Sequence, residues 1–310
     1  MVNITSFTFP SSAGGTVLHG TEWTPDTAPR GVVQIAHGVA EHIGRYEDFA
    51  RFLAQKGFVV VGHDHLGHGA SLPAGGTAVY FADDRGWEHA TDDIQALGLL
   101  VKAKYPGLPY FLLGHSMGSF LSRSLLIRYP GFVDGAILMG TGWNGQATIT
   151  AGLALLGILA KTQGRRATSP LANQLAFGGY NKAFAPNRTN WDWITADPAG
   201  VAAYMADPLC GGDATIGLLQ DLLGGLRFNQ NRAHLALMDP DTPILLISGG
   251  DDPVGAMGKG VQRTRDAFAA AGVKDLTMTL YPGLRHEILN ELGHRHQVYG
   301  DLLNWLEGHL

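Results

Sequence analysis

Ser116 is the residue whose surroundings most directly indicate chemistry, because residues 114–118 read G-H-S-M-G, the pattern of a nucleophile elbow. An apolar run at 110–113 precedes it and a helical pattern follows, so we expect a sharp turn between a strand and a helix. Such a turn exposes a serine hydroxyl beside a base and near free N–H groups. Because the chain holds 43 glycines, the pattern alone is moderately specific, and its flanking elements make Ser116 the predicted nucleophile.

A serine nucleophile also needs a base and an orienting acid, and both can be sought after other predicted strands. In an open parallel sheet, functional residues lie just beyond the carboxyl ends of the strands. His286 follows the last predicted strand, 276–281, and Asp251 and Asp252 follow the buried strand 243–248. Spacing alone does not separate the two aspartates. Three later histidines fall in a closing helical pattern and are expected at the surface: His294, His296 and His309.

The negative charge that develops on an attacked carbonyl oxygen requires two backbone N–H donors. One donor is expected from the residue after the nucleophile, which is Met117. The other is expected from the loop after the predicted strand 32–36, where Gly38 precedes Val39. Since a glycine lets the backbone approach closely, we assign the second donor to Val39.

Strands and helices alternate along most of the chain, and this alternation would bring the predicted site residues to one edge of a sheet. A hairpin is predicted over residues 5–23. Buried strands are then predicted at 31–36, 58–61, 110–113, 135–139, 243–248 and 276–281. The pattern indicates an α/β fold with a mostly parallel sheet and helices on both faces. Residues 141–239 show no core strand, so we expect a core of 1–140 and 240–310 with 141–239 inserted over the sheet.

The composition excludes several classes of partner. The chain has 22 basic and 27 acidic residues and a net charge of −5, which gives no indication of nucleic-acid binding. Cys210 is the only cysteine and no signal peptide is recognisable, so a cytoplasmic location is expected. The longest nearly apolar run, residues 149–160, has 12 residues and is too short to span a bilayer. It is long enough to contact a lipid surface.

The sequence H-D-H-L-G-H at residues 63–68 superficially resembles a metal-binding histidine cluster. It lacks the aspartate before the last histidine that the metallo-β-lactamase pattern uses. No other convincing ligands accompany it, so a loop whose histidines hydrogen-bond the turn is favoured. We expect neither a metal nor an organic cofactor.

Five segments together resemble the α/β-hydrolases of the monoacylglycerol lipase and lysophospholipase group, which also includes proteins similar to serine aminopeptidases. The segments are H-G-V-A-E-H-I-G-R-Y at 37–46, D-H-L-G-H-G-A-S at 64–71, G-H-S-M-G at 114–118, G-G-D-D-P-V at 249–254 and R-H-E at 285–287. The resemblance implies an α/β-hydrolase fold in which 141–239 form a helical cap inserted after the sixth strand. It also selects Asp252 as the acid. It further implies that Glu41 and Arg45 lie near the polar end of the substrate pocket, although the two could instead pair with each other.

The function implied by this resemblance is hydrolysis of an acyl ester, such as a monoacylglycerol or a lysophospholipid, through an acyl-enzyme. The catalytic residues would be Ser116, His286 and Asp252. Fold and triad do not choose the leaving group or acceptor, so an aminopeptidase or an acyltransferase remains an alternative. A second alternative is a receptor that keeps the fold and uses its pocket for recognition. Residues 149–160 would line the acyl tunnel, contact lipid at the periphery of a membrane, or simply pack onto the core.

Overall fold

The alternating apolar runs of the sequence form the strands of one central sheet, and the periodic segments between them form helices. The computed structural model describes all residues 1–310. The strands are β1 (Val2–Pro10), β2 (Val17–Pro25), β3 (Gly31–Ala36), β4 (Phe58–His63), β5 (Tyr110–His115), β6 (Gly135–Met139), β7 (Ile244–Gly249) and β8 (Leu276–Tyr281). The helices are α1 (Glu47–Gln55), α2 (Gly86–Lys104), α3 (Met117–Arg128), α4 (Gln146–Gln163), α5 (Pro170–Phe177), α6 (Pro198–Ala206), α7 (Ile216–Asn229), α8 (Arg232–Leu235), α9 (Lys259–Ala271) and α10 (Arg295–Glu307).

The sheet has eight strands in the order β1-β2-β4-β3-β5-β6-β7-β8. The predicted hairpin is confirmed, because β1 pairs antiparallel with β2 from Val2 opposite Pro25 to Pro10 opposite Val17. Strand β2 also pairs antiparallel with β4, and all the remaining neighbours are parallel. The six strands β3 to β8 are therefore mutually parallel, and their carboxyl ends meet at one edge of the sheet.

Side chains of the central strands alternate between two apolar layers, one on each face of the sheet. In β5, Tyr110 and Leu112 belong to one buried cluster, whereas Phe111 and Leu113 belong to the other. Helices α2, α3 and α9 contribute to the first cluster, and α1 and α10 contribute to the second. Because both faces are covered, these strands are continuous apolar runs rather than alternating ones. The predicted fold class, an α/β sheet with helices on both faces, is confirmed.

Helices α4 to α8 all lie between β6 and β7, and no strand of the central sheet comes from this stretch. Helix α9 begins only at Lys259, because Ala256, Met257 and Gly258 all have positive φ and cannot belong to a right-handed helix. None of the helices in the structure is both long and apolar enough to cross a membrane.

Candidate active site

Ser116 lies at the turn between β5 and α3 in a strained backbone conformation, with φ 52° and ψ −120°. Only glycine fits at the two positions that flank this turn, 114 and 118. A Cβ on Gly118 would collide with the carbonyl oxygen of Ala36 in β3, and a Cβ on Gly114 would collide with the backbone of Gly118. The predicted strand, sharp turn and helix around the serine are therefore present, and the strain is of the kind found at functional sites.

His286 and Asp252 form a buried pair beyond the ends of β8 and β7. The His286 ring donates from Nδ1 to Asp252 Oδ2 across 2.9 Å, which leaves Nε2 as an acceptor. Asp252 is fully buried and also accepts from the Ser248 hydroxyl at 3.1 Å and the Val254 amide at 2.9 Å. Asp251, the competing aspartate, has an exposed side chain. Its neighbour Asp252 is thus the carboxylate that contacts the histidine.

Ser116 and His286 line one cavity, although no hydrogen bond joins them in this structure. Such contacts commonly tighten only when substrate is bound. Gly140, which follows β6, allows the His286 ring to approach, since a Cβ there would lie 3.0 Å from His286 Cε1. The structure therefore places the predicted nucleophile and base around one space, with the predicted acid behind the base.

The two amides of the predicted oxyanion hole are free to bind a ligand. Met117 is the first residue of α3, where backbone N–H groups have no partner within the helix. Neither its amide nor that of Val39 donates a hydrogen bond to another protein group. Val39 lines the cavity, and the neighbouring Gly38 lies against Ser116, since a Cβ on Gly38 would be 3.2 Å from Ser116 Cβ.

Glu41 and Arg45 belong to a buried ionic cluster beside this cavity. The Arg45 guanidinium donates to Glu41 at 2.8 Å and to both carboxylate oxygens of Glu287 at 2.6 and 2.7 Å. Glu41 also accepts from the Gly38 amide at 2.5 Å and from the Tyr46 hydroxyl at 2.7 Å. Glu41 reaches the cavity wall, whereas Arg45 does not line the cavity. The expected position at the pocket therefore holds for Glu41 and not for Arg45, and the alternative, that the two pair with each other, is what the structure shows.

The ionic cluster continues to the residue next to the nucleophile. His115 Nδ1 lies 2.9 Å from the Tyr46 hydroxyl oxygen and 3.2 Å from Glu41 Oε1. Burial would raise the pKa of Glu41, but His115 and Arg45 hold that pKa well below its usual value. The ring of His115 also packs against the His286 ring, with centroids 4.7 Å apart.

A segment from residues 141–239, which we call the helical stretch, covers the other side of His286. The Trp193 ring packs on the His286 ring with centroids 5.1 Å apart. The Glu287 amide donates to the Ile194 carbonyl at 2.8 Å, and the Arg285 guanidinium donates to backbone carbonyls of the same segment. The His286 imidazole is therefore held between a core residue and a residue of the helical stretch.

The cavity in front of Ser116 has a volume of about 460 Å³, within the range of small-molecule sites. Its lining comes from the loop after β3, from the elbow, from the His286 loop and from the helical stretch. Only 8 of its 24 lining residues are hydrophobic, so much of the wall is polar. The aromatic residues of the wall are Phe177, Trp191, Trp193 and Tyr204.

The histidines at 63–68 form a packed structural loop together with His37. His65 donates its amide to His37 Nε2 at 3.0 Å, and His68 Nδ1 lies 2.9 Å from the Leu66 carbonyl. Burial lowers the pKa of His63 to about 3 and that of His68 to about 3. Ring hydrogen bonds to the backbone, as the sequence indicated, are present for His65 and His68 and absent for His63, whose two ring nitrogens have no partner.

One other group of potential metal ligands occurs where the loop after β3 meets the helical stretch. Atoms of His42, Asp207 and Cys210 lie within 4.8 Å of one another, and His42 Nε2 is 2.9 Å from Asp207 Oδ2. Burial raises the pKa of the Cys210 thiol to about 12, which disfavours the thiolate that binds metals. This group is better described as a contact between the two parts of the chain.

Three residues of the site were missed by the sequence reasoning: His115, Glu287 and Trp193. Two of them adjoin predicted catalytic residues, and a search for the second partner of Arg45 could have found Glu287. Trp193 gave no comparable signal beyond the aromatic pair that it forms with Trp191 in the sequence.

Comparisons with known proteins agree with this geometry. The sequence model of the family described as serine aminopeptidase, S33, matches residues 27–293. The monoacylglycerol lipase of Mycolicibacterium smegmatis is 33% identical over 303 residues, covering 97% of this chain and 96% of the relative. Human monoglyceride lipase is 28% identical over 95% of this chain and 88% of its own length.

Among solved structures, a thermostable carboxyl esterase from Bacillus coagulans in complex with glycerol superimposes with a TM-score of 0.92. It is 29% identical, and the match covers 98% of both chains. The family match spans most of the chain, and the mycobacterial relative is similar over nearly its whole length. The chain is therefore a serine ester hydrolase of the α/β-hydrolase superfamily and belongs to the serine aminopeptidase, S33, family.

Proposed function

We propose that the chain hydrolyses monoacylglycerols and similar small acyl esters, with Ser116 as nucleophile, His286 as general base and Asp252 as orienting acid. The observation that carries this proposal is the strained Ser116 turn opening on the same cavity as the buried pair of His286 and Asp252. The names of the mycobacterial and human relatives support the substrate class.

In the proposed reaction, Ser116 Oγ attacks the ester carbonyl carbon while His286 Nε2 takes its proton. The oxyanion accepts hydrogen bonds from the amides of Val39 and Met117. The alcohol leaves with the proton from His286, and an acyl-serine remains. Water, deprotonated by His286, then attacks the acyl carbon and releases the fatty acid. Throughout, Asp252 holds the imidazole tautomer and stabilises its charged form.

Ser116→Ala tests this proposal directly. The variant should lose at least roughly 10⁴-fold in kcat on a monoacylglycerol, because no other group is placed to form the acyl-enzyme. Ser12→Ala, at an exposed serine in the turn after β1, is the matched control and should keep wild-type turnover. A fluorophosphonate should label wild-type protein and not Ser116→Ala. Near-normal hydrolysis by Ser116→Ala would remove the proposal.

Residues 141–239 act in this proposal as a cap that forms much of the substrate wall. The acyl chain would lie along the aromatic residues Phe177, Trp191 and Trp193, which all line the cavity. Because two thirds of the lining is not hydrophobic, short and medium acyl chains should be preferred over long ones. Steady-state kinetics on monoacylglycerols graded by chain length would measure this preference, and a rise in kcat/KM up to the longest chain would contradict it.

Peripheral contact with lipid is a further part of the proposal. In α4, Ile149 and Leu156 are buried and the helix packs on α7, so simple packing accounts for part of the apolar run. Ile158, together with Leu171 and Leu175 of α5, is exposed. We place the contact with lipid aggregates at these three side chains. The protein would then act in the cytoplasm, at lipid surfaces.

The lipid contact predicts that Leu175→Asn lowers activity on micellar esters and leaves activity on monomeric esters unchanged. Leu100→Asn, at an equally apolar and exposed position of α2 outside the helical stretch, is the control. Equal activity of Leu175→Asn and wild-type protein on both forms of substrate would reject the contact. Comparing an ester with the corresponding amide in the same assays separates an esterase from an aminopeptidase.

A further inference from the structure

The loop after β3 carries Val39, and its middle residues have few hydrogen bonds of their own. The Ile43 amide donates to Asp64 Oδ1 at 2.8 Å, which fixes the far end of the loop. Among the backbone groups of residues 39–41, only the Ala40 carbonyl has a hydrogen-bond partner in the protein. Its two partners both belong to the helical stretch.

These partners come from the end of α6 and the turn that follows it. The Gly211 amide donates to the Ala40 carbonyl oxygen at 2.9 Å, and the Tyr204 hydroxyl donates to the same oxygen at 3.4 Å. Two residues further along the loop, His42 Nε2 lies 2.9 Å from Asp207 Oδ2. We call Tyr204, Asp207 and Gly211 the latch.

The turn of the latch is held in shape by its own hydrogen bonds. Asp207 Oδ1 accepts from the Leu209 amide at 2.9 Å, and the Asp207 carbonyl accepts from the Cys210 amide at 3.1 Å. The turn ends at Gly211, whose φ of 73° favours glycine. The Gly211 amide is therefore aimed at the loop by the fold of the turn itself.

Ala40 is the residue of the loop that needs such support. Its φ is 51°, in the left-handed region that residues with a Cβ rarely adopt. A residue in this region keeps its conformation only where its surroundings impose it. Because both ends of the loop are fixed, relaxation of Ala40 to a negative φ would have to be absorbed by its neighbours, of which Val39 is one.

We propose that the latch positions the oxyanion hole. By holding Ala40 in its left-handed conformation, the latch aims the Val39 amide at the oxyanion that forms in front of Ser116. The inference rests on the proposed function, in which Val39 is one of the two donors. The latch residues themselves touch neither the oxyanion nor the nucleophile, so they are positioning residues.

Asp207→Ala breaks the latch at a half-buried side chain that does not line the cavity. We expect kcat on a monoacylglycerol to fall about tenfold with KM within about twofold of wild type, since misaligning one donor forfeits part of the roughly 10²- to 10³-fold that a whole donor contributes. Asp197→Ala is the matched control. It removes the side chain that accepts from the Ala199 amide at the start of the same helix, and it should keep wild-type kcat.

Wild-type kcat in Asp207→Ala would overturn the proposal. An equal fall in Asp197→Ala would overturn it as well, because any weakening of α6 would then have the same effect. Should Asp207→Ala fail to fold, His42→Ala removes the same contact from the side of the loop and should show the same fall in kcat.

Two inhibitors distinguish a misplaced amide from a general disturbance of the cavity. An alkyl trifluoromethyl ketone adds to Ser116, and its hemiketal oxygen takes the place of the oxyanion. Its Ki should therefore rise in Asp207→Ala by the factor by which kcat/KM falls. The ether analogue of the monoacylglycerol has no carbonyl, and its Ki should stay unchanged. Equal weakening of both inhibitors would reject a role in the oxyanion hole.

Ala40→Gly tests whether the latch acts through the conformation of residue 40. Glycine adopts positive φ without a steric penalty, so the loop with this substitution depends less on the latch. Adding Ala40→Gly to Asp207→Ala should restore most of the lost kcat, and no recovery would contradict the proposal. Hydrolysis that survives in Ser116→Ala removes the proposed function, whereas an inactive Ser116→Ala beside a fully active Asp207→Ala removes the latch alone.

Discussion

The sheet-bearing segments, residues 1–140 and 240–310, and the helical stretch 141–239 contribute to one cavity by different means. In the first, each site residue follows a strand, and the register of parallel strands brings distant residues together. In the second, the cavity wall comes from aromatic and amide side chains on short helices and loops. The candidate site residues of the first are thus positioned by backbone hydrogen bonding, and the cavity wall of the second is positioned by side-chain packing.

The largest expected effect tests the first half of this comparison. Asp252→Asn should lower kcat by roughly 10⁴-fold, because an amide can hold His286 in the wrong tautomer and cannot stabilise its charged form. Asp251→Asn, one residue earlier and exposed, should change kcat by less than about twofold. Steady-state kinetics of the two variants on one ester measure the difference. Comparable losses in both would show that strand register does not select the acid.

The positions of these residues beyond the strands could be predicted from the sequence, for a physical reason. Strands and glycine turns leave periodic signals, so Ser116 and His286 could each be placed beyond a strand. The two adjacent aspartates show the limit of such signals. Residues that follow each other in a loop share the same predicted position, and only the packed loop determines which carboxylate faces inward. Asp252 was therefore selected by resemblance and not by spacing.

From its own residues, the helical stretch was predicted only as an insertion without core strands, and its description as a helical cap came from the resemblance. Trp193 reaches His286 through an irregular segment that is anchored by Arg285 and by the backbone of Glu287. Irregular segments carry no periodicity, so contacts of this kind leave little trace in a single sequence. His115 and Glu287 were not identified from the sequence for another reason. Their role arises from a charge cluster between distant loops, and pairwise spacing does not report such clusters.

Trp193→Leu gives an intermediate effect and tests whether the helical stretch also supports the chemistry. The variant should lose about fivefold in kcat/KM, since an aromatic contact contributes on the order of 1 kcal/mol. Trp193→Phe should recover most of this loss. Trp191→Leu is the control, because Trp191 lines the cavity and makes no ring contact with His286.

Separate values of kcat and KM for the two variants decide this test. Loss of support for His286 should appear in kcat of Trp193→Leu, whereas loss of substrate contact in Trp191→Leu should appear mainly in KM. If both variants changed only KM, the helical stretch would contribute binding alone, and the comparison between the two regions would become sharper.

The smallest effect on activity, with a clear effect on stability, concerns the buried histidines. The helical stretch holds one of the 13 histidines, the half-buried His234, whereas the sheet-bearing segments hold the rest. His63, at the end of β4, is fully buried with both ring nitrogens unpartnered, and burial lowers its pKa to about 3. The unfolded chain, with a histidine pKa of about 6.5, therefore binds a proton that the folded state does not.

Stability linked to His63 is fully present above pH 6.5 and is lost as the pH falls toward 3. For this one residue the loss amounts to about 2 kcal/mol between pH 6.5 and pH 5. His63→Leu should remove it, so that the free energy of unfolding declines less over this interval than in wild-type protein. Urea unfolding of wild-type protein, His63→Leu and His234→Asn at both pH values measures the three declines. An equal decline in wild-type protein and His63→Leu would mean that His63 does not set the acid sensitivity of the sheet-bearing segments. A smaller decline in His234→Asn than in wild-type protein would mean that the helical stretch contributes part of that sensitivity.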